Sequence, residues 1–142
     1  MNYTFESALT IHEIKALYGA VHMTHYLNDP AETARGIANS TLLTARDGDK
    51  LVGVIRGVSD MHTIVFVQDL IVLPEYQHQG IGTELLDQFD EYFKQVDRIV
   101  IVTTNEPWRH FTNTPASSAA VIRRWPPLCG HANCLSRSFN RR

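Results

Sequence analysis

The sequence predicts a mixed α/β (α+β) domain in which a mostly antiparallel central sheet is flanked by helices. Three observations predict it. Apolar residues recur at helical spacing in three segments, and at strand spacing or in short continuous runs in five others. Asp47-Gly48 stands between two of those runs, which is the pattern of a tight hairpin. A β-branched run, a helical segment and a second such run follow one another over residues 63–104, which suggests a parallel crossover at one end of the sheet.

The elements follow in order. "YTFES" is short and alternating, as an edge strand is. "IHEIKALYGAV" places Ile11, Ile14, Leu17, Tyr18 and Val21 on one helical face. "NDPAETARGIANS" opens on Asn-Asp and carries Pro30 and Glu32 in its first turn, the chemistry of a helix N-terminus. "TLLTARDGDKLVGVIRGVSD" is two strands around Asp47-Gly48. "HTIVFVQDLIVLP" is too apolar on both faces for an edge strand and is expected at the centre of the sheet. "TELLDQFDEYFKQV" brings Leu85, Leu86, Phe89, Tyr92, Phe93 and Val96 onto one helical face, and "DRIVIVTT" is a further buried-type strand.

A chain of 142 residues with 44% hydrophobic and 20% charged residues matches one globular domain with its own core. No run approaches the roughly 18 apolar residues of a membrane helix. The start "MNYTFESALT" lacks the basic and apolar segments of a signal peptide, and two cysteines are too few for a disulfide framework. A cytoplasmic protein with no membrane partner is expected. Charge is uneven: residues 1–107 hold seven basic and fifteen acidic residues, a net −8, whereas residues 108–142 hold six arginines and no acid, a net +6. Such a split raises the question of a nucleic-acid arm. The basic end lacks the lysines and spaced aromatics of a dedicated arm, so nucleic acid is not expected as a partner.

Residues 74–83, "PEYQHQGIGT", place two glycines between the central strand and the last helix. Helix N-termini leave N–H groups unpaired and favour negative charge, and glycine lets an anion approach the backbone closely. A nucleotide-triphosphate loop would end in Gly-Lys-Ser/Thr, and no lysine is present. A dinucleotide fingerprint would need a third glycine where Leu85 sits. Both readings fail.

The stretch "LIVLPEYQHQGIGTELL" instead resembles the signature of the GNAT acyltransferase superfamily, Gln/Arg-x-x-Gly-x-Gly/Ala after a strand ending in Val-x-Pro. Gln77, Gly80 and Gly82 match it, with Val72 and Pro74 ahead, and the order of elements over about residues 1–106 is similar to that family's. The resemblance implies a GNAT-like fold, acetyl-CoA as cosubstrate without a metal, and transfer of the acetyl group to a primary amine of a small molecule or protein. It implies that backbone N–H groups of His78, Gln79, Gly80, Ile81, Gly82 and Thr83 hold the pyrophosphate, with Gln77 at the first motif position. It further implies that Leu70, Ile71 and Val72 pair with the pantetheine arm, that Asn105 adds a cofactor contact, and that a homodimer forms. An acetyl-CoA-binding relative with impaired catalysis is the alternative.

Acetyl transfer needs a neutral amine, an oxyanion stabiliser and a proton for the leaving thiolate. Asp69 is the first candidate base and Asp60 the second; a carboxylate that orients backbone or a helix is the other reading of Asp69. The backbone N–H of Leu70 or Ile71 is the candidate that polarises the thioester carbonyl, as the resemblance implies.

The chain departs from the family after "IVTTNEP". Members usually carry Phe-Tyr-x-x-x-Gly-Phe on a following helix, and no tyrosine occurs in residues 108–142, where His110 is the nearest proton donor. "CGHANC" offers two cysteines and His131, an incomplete zinc set. The domain organisation read from this is a core over residues 1–107 and an atypical basic tail over 108–142. Permitted codons for "WRHFTNTPAS", read two bases on, spell Ala-Ser-Phe-Tyr-Gln-His-Ala-Gly-Phe, which contains the missing motif. Residues from about 108 are therefore expected to be a frameshift product. Sequencing the gene checks this: the shifted frame should encode that nonapeptide, and a gene that does not encode it there ends the idea.

Overall fold

A computed structural model of the chain describes residues 1–101 and, as backbone, residues 120–123. Six strands form one sheet in the order β1-β2-β3-β4-β5-β6: β1 (Asn2–Glu6), β2 (Thr41–Asp47), β3 (Lys50–Ser59), β4 (Ile64–Val72), β5 (Arg98–Ile101) and β6 (Ala120–Arg123). The helices are α1 (Ile11–Ala20), α2 (Pro30–Ala38) and α3 (Ile81–Tyr92). A 3-10 turn at Thr24–Leu27 joins α1 to α2, and another at Pro74–Tyr76 follows β4. All neighbours pair antiparallel except β4 with β5, so the expected crossover is present and β4 is central.

Local chemistry explains the boundaries. Thr10 caps α1, its hydroxyl accepting from the Glu13 N–H while the Glu13 carboxylate accepts from the Thr10 N–H, a capping box written in the sequence as Thr-x-x-Glu. Asp29 caps α2 ahead of Pro30. The β2–β3 turn is Gly48-Asp49, with Gly48 at φ +60°, the first of its two central residues.

The expected helical face of α3 is correct for Leu85, Leu86 and Phe89. Phe93 and Val96 are buried beyond the helix end, whereas Tyr92 is exposed and stacks at 4.4 Å on Phe5 of β1. Tyr92 is the last residue of α3 and Phe93 its C-cap. Backbone of residues 120–123, inside the basic tail, pairs antiparallel with β5 from Arg98 to Ile101.

A bulge in β4 determines which face its side chains reach. Gly57 of β3 pairs with Val67, but its neighbour Arg56 pairs with Asp69, so Gln68 is the extra residue. Gly57 lies against α3: a Cβ there would meet Phe89 Cζ at 3.1 Å and the Phe66 carbonyl oxygen at 2.9 Å. Val67 therefore shares the α3 face, and Asp69, two residues on, points to the opposite face among α1 side chains.

The start of the sheet is held by Arg46. Its Nε and Nη2 donate to Glu6 at 2.7 and 2.9 Å, and its Nη1 donates to Glu13 at 2.7 Å, joining β1, β2 and α1. The Arg46 bond holds the Glu6 carboxyl below its usual range against the opposing effect of burial. Burial would raise Glu13, but bonds from Thr10 and Arg46 outweigh it and the net shift is also downward. Groups with lowered folded-state pKa stabilise the fold above their unfolded value near 4.5 and lose that contribution as pH falls through the lower folded value. Chemical denaturation as a function of pH should therefore show stability declining below about pH 4.5, and Arg46→Met should flatten that decline.

Candidate active site

The stretch after β4 folds as a turn that delivers an unblocked helix end. Gly80 is the N-cap of α3 at φ +84°, a left-handed conformation that glycine adopts without strain. A Cβ at Gly80 would meet nothing within 4 Å. No side chain caps α3, in contrast to α1 and α2, so its first N–H groups face outward without a side-chain oxygen over them. The two glutamines of the turn brace it from behind: Gln77 Nε2 donates to the Val72 carbonyl at 2.9 Å and Gln79 Nε2 to the Glu75 carbonyl at 3.2 Å. His78 takes φ +61° between them. Gln77, His78, Gln79, Gly80 and Thr83 are exposed, Gly82 is half-buried, and Ile81 anchors the helix start in the core.

Among the described residues β4 pairs with β5 from Ile64↔Arg98 to Val67↔Ile101. Leu70 and Ile71 pair with Ile55 and Val54 of β3. The candidate contacts Leu70, Ile71 and Val72 are the last three residues of β4 and stand just ahead of the segment that leads to the glycine turn. Asn105, His110 and the Cys129–Cys134 segment lie outside the described residues.

Asp69 is brought to the same place with its side chain fully buried. Its Oδ2 accepts from Arg56 Nε and from the Tyr18 hydroxyl at 3.0 Å, and its Oδ1 accepts from the Tyr26 hydroxyl at 2.9 Å. Burial, then the charge of Asp69, push the Tyr18 phenol far above its ordinary value, so it stays a donor. Burial lowers the Arg56 pKa, but the charge of Asp69, its hydrogen bond and the interactions with Tyr18 and Tyr26 together outweigh it, so the net shift is upward and the guanidinium stays charged. Gln68 Nε2 donates to the Tyr26 hydroxyl at 3.0 Å. The sequence reading singled out neither Tyr26 nor Arg56. The signal for Arg56 was available: an arginine inside an apolar strand needs a buried counter-charge. The signal for Tyr26 was not, since its partner lies 43 positions away.

Asp60, the second candidate base, is exposed and caps its own loop. Its carboxylate accepts from the Thr63 hydroxyl and from the N–H groups of His62, Thr63 and Ile64, which hold its pKa well below the carboxylate range.

A bulged central strand followed by a helix that opens on a glycine is the arrangement that the sequence resemblance to acyl-group transferases leads one to expect. The chain belongs to the acetyltransferase (GNAT) family, whose model matches residues 10–113. Among solved structures it is similar to a GNAT-family acetyltransferase from Streptococcus pneumoniae TIGR4, at 33% identity and TM-score 0.64, covering 78% of this chain and 81% of that one. A probable acetyltransferase from meticillin-resistant Staphylococcus aureus shares the fold at 23% identity and TM-score 0.66, over 77% and 83% of the two chains. So does an aminoglycoside 6'-N-acetyltransferase complexed with coenzyme A, at 18% identity and TM-score 0.57, over 72% and 62%. A comparison with curated protein sequences found no match.

Breaking a buried ion pair by removing one partner typically costs about 3–5 kcal/mol, because the other charge is left uncompensated. Asp69→Asn should therefore destabilise the fold by an amount in that range, measured by denaturant titration. Arg56→Met combined with Asp69→Leu should recover most of it.

Proposed function

We propose that this chain is an acetyl-CoA-dependent N-acetyltransferase that acetylates a primary amine of a small molecule or protein. The observation that carries the reading is the N-terminus of α3, which has no side-chain cap and Gly80 at φ +84°, placed just after the central strand β4. That arrangement fits a pyrophosphate, since backbone donors and a helix end neutralise its charge without a metal. The N–H groups from His78 to Thr83 would hold it, with Gln77 bracing the turn. The coenzyme A complex of a structural neighbour supports the same ligand here.

The residues divide the chemistry as follows. Backbone of Leu70, Ile71 and Val72 would lie along the pantetheine arm, and the Leu70 N–H would face the thioester carbonyl to stabilise its developing negative charge. The amine nitrogen forms a bond to the carbonyl carbon and gives up a proton, the C–S bond breaks, and the thiolate takes up a proton, leaving the amide and free coenzyme A thiol. Asn105 would add a cofactor contact. For Asp69 the closed set of partners favours orientation over proton abstraction. We place the protein in the cytoplasm as a homodimer, in keeping with the family resemblance of its sequence.

The second reading, a relative that binds acetyl-CoA with impaired catalysis, is favoured by the lack of any tyrosine in residues 108–142. In that reading the core over 1–107 stands intact and the tail is a frameshift product. Acetyl-CoA at about 100 times its Kd should stabilise the protein by about 2.7 kcal/mol, seen as a rise in Tm. Gly80→Val should lower acetyl-CoA affinity by about tenfold or more, because it removes close backbone approach to a charged group. Thiol release on adding an amine separates the enzyme from the impaired relative. Salt-sensitive DNA binding with no response to acetyl-CoA would refute both.

A further inference from the structure

We infer that Gly53 of β3 is a positioning residue for the cofactor, although it lies outside the glycine turn. By leaving room for Leu85, it seats the first turn of α3 on the end of β4. This rests on the acetyltransferase reading and adds to it a residue that acts only through its neighbours.

Two pairs of residues build the seat. Gly53 and Val72 stand opposite each other on β3 and β4, and Gly82 and Leu85 lie three apart on one face of α3. Each pair offers one side chain and one gap. Val72 meets the helix at Gly82, where a Cβ would lie 3.7 Å from Val72 Cγ2. Leu85 meets the sheet at Gly53, where a Cβ would lie 3.2 Å from Leu85 Cδ1, 3.1 Å from the Ile71 carbonyl oxygen and 3.5 Å from Val72 Cγ2. The two gaps are unequal. At Gly82 a methyl group would make an ordinary contact, whereas at Gly53 it would force Leu85 or the Ile71 carbonyl to give by a few tenths of an ångström. Leu85 is fully buried, and close-packed interiors yield little at such contacts. The Leu73 N–H donates to the Val52 carbonyl at 2.8 Å, which holds the end of β4 to β3 beside Gly53. The missing side chain on the sheet, rather than the one in the turn, therefore sets how closely α3 approaches β4.

The neighbours of that gap belong to the segments assigned to the ligand. Ile71 and Val72 lie in the stretch proposed for the pantetheine arm. Leu85 stands two residues after Thr83, the last of the residues whose N–H groups are proposed for the pyrophosphate. One methyl group at Gly53 would press on both segments at once, and ligand binding is sensitive to such displacement of fixed donors. Glycine inside a strand costs stability relative to alanine, so its place here calls for a packing reason. Gly57 has a reason of the same kind farther along α3: a Cβ there would lie 2.9 Å from the Phe66 carbonyl oxygen and 3.1 Å from Phe89 Cζ. Neither of those neighbours belongs to a ligand segment, so Gly57 serves as the control.

The test measures acetyl-CoA binding to the full chain by isothermal titration, with the Tm recorded alongside. In Gly53→Ala the Kd should rise roughly 3- to 10-fold, the equivalent of one hydrogen bond. Gly57→Ala adds the closer contact and should lower the Tm at least as far, yet change the Kd by less than about twofold. Adding Leu85→Val to Gly53→Ala removes the δ carbon in the way. It should recover part of the lost affinity, since the Ile71 contact remains, while the Tm stays low. An unchanged Kd in Gly53→Ala, or no recovery in the double variant, overturns the inference. So does a Kd that rises equally in Gly53→Ala and Gly57→Ala, since that would be a general loosening of α3. Where Gly53→Ala does not fold, the double variant is read against Leu85→Val alone: a Kd raised about two- to threefold supports the seat, and an equal Kd overturns it. If the wild type binds acetyl-CoA and the variants depart from these results, the inference falls alone. If the wild type binds none, the cofactor reading falls with it.

Discussion

Arg56 and Asp69 form an ion pair between the sheet and α1, and the arrangement of the site depends on their burial there. Two charges removed from water are tolerated only when each is paired and its remaining hydrogen-bonding capacity is met. Asp69 meets that condition by drawing in two phenols, one from α1 and one from the following 3-10 turn. Satisfying the carboxylate therefore ties Tyr18 of α1 and Tyr26 of the 3-10 turn to the central strand.

The bulge at Gln68 makes this geometry possible. Without the extra residue, strand alternation would send Asp69 to the same face as Val65 and Val67, against the apolar side of α3. One inserted residue thus re-aims a carboxylate across the sheet. It also leaves Gln68 exposed, with its amide nitrogen donating to the Tyr26 hydroxyl.

The glycine turn solves a different problem by the opposite means. Helices α1 and α2 are closed at their N-termini by Thr10 and Asp29, whereas α3 begins on a glycine with no side-chain oxygen. Leaving donors open costs helix stability unless something else accepts from them. Burial of Ile81, Leu85, Leu86 and Phe89 holds α3 in place without a cap, so its N-terminus remains available to an anion.

The glycine turn after β4 was legible in the sequence because it is local. Gln77, Gly80 and Gly82 stand within six residues of one another after a β-branched run, and backbone donors in a turn need only their neighbours to be in place. The order of elements and the crossover were equally legible, since periodicity and turn chemistry are short-range properties. The exposure of Tyr92 against Phe5, the pairing of residues 120–123 with β5 and the partners of Asp69 were not, because each depends on segments far apart in the chain. Asp69 was visible as a carboxylate in a strand, but its role could not be read until the fold placed Tyr18, Tyr26 and Arg56 around it. By itself, then, the sequence determined the family, the order of the sheet and the glycine turn, all built from contacts between near neighbours. Only the tertiary structure decided what Asp69 faces and which side chains surround it, because a single bulge and contacts spanning up to 51 positions set both.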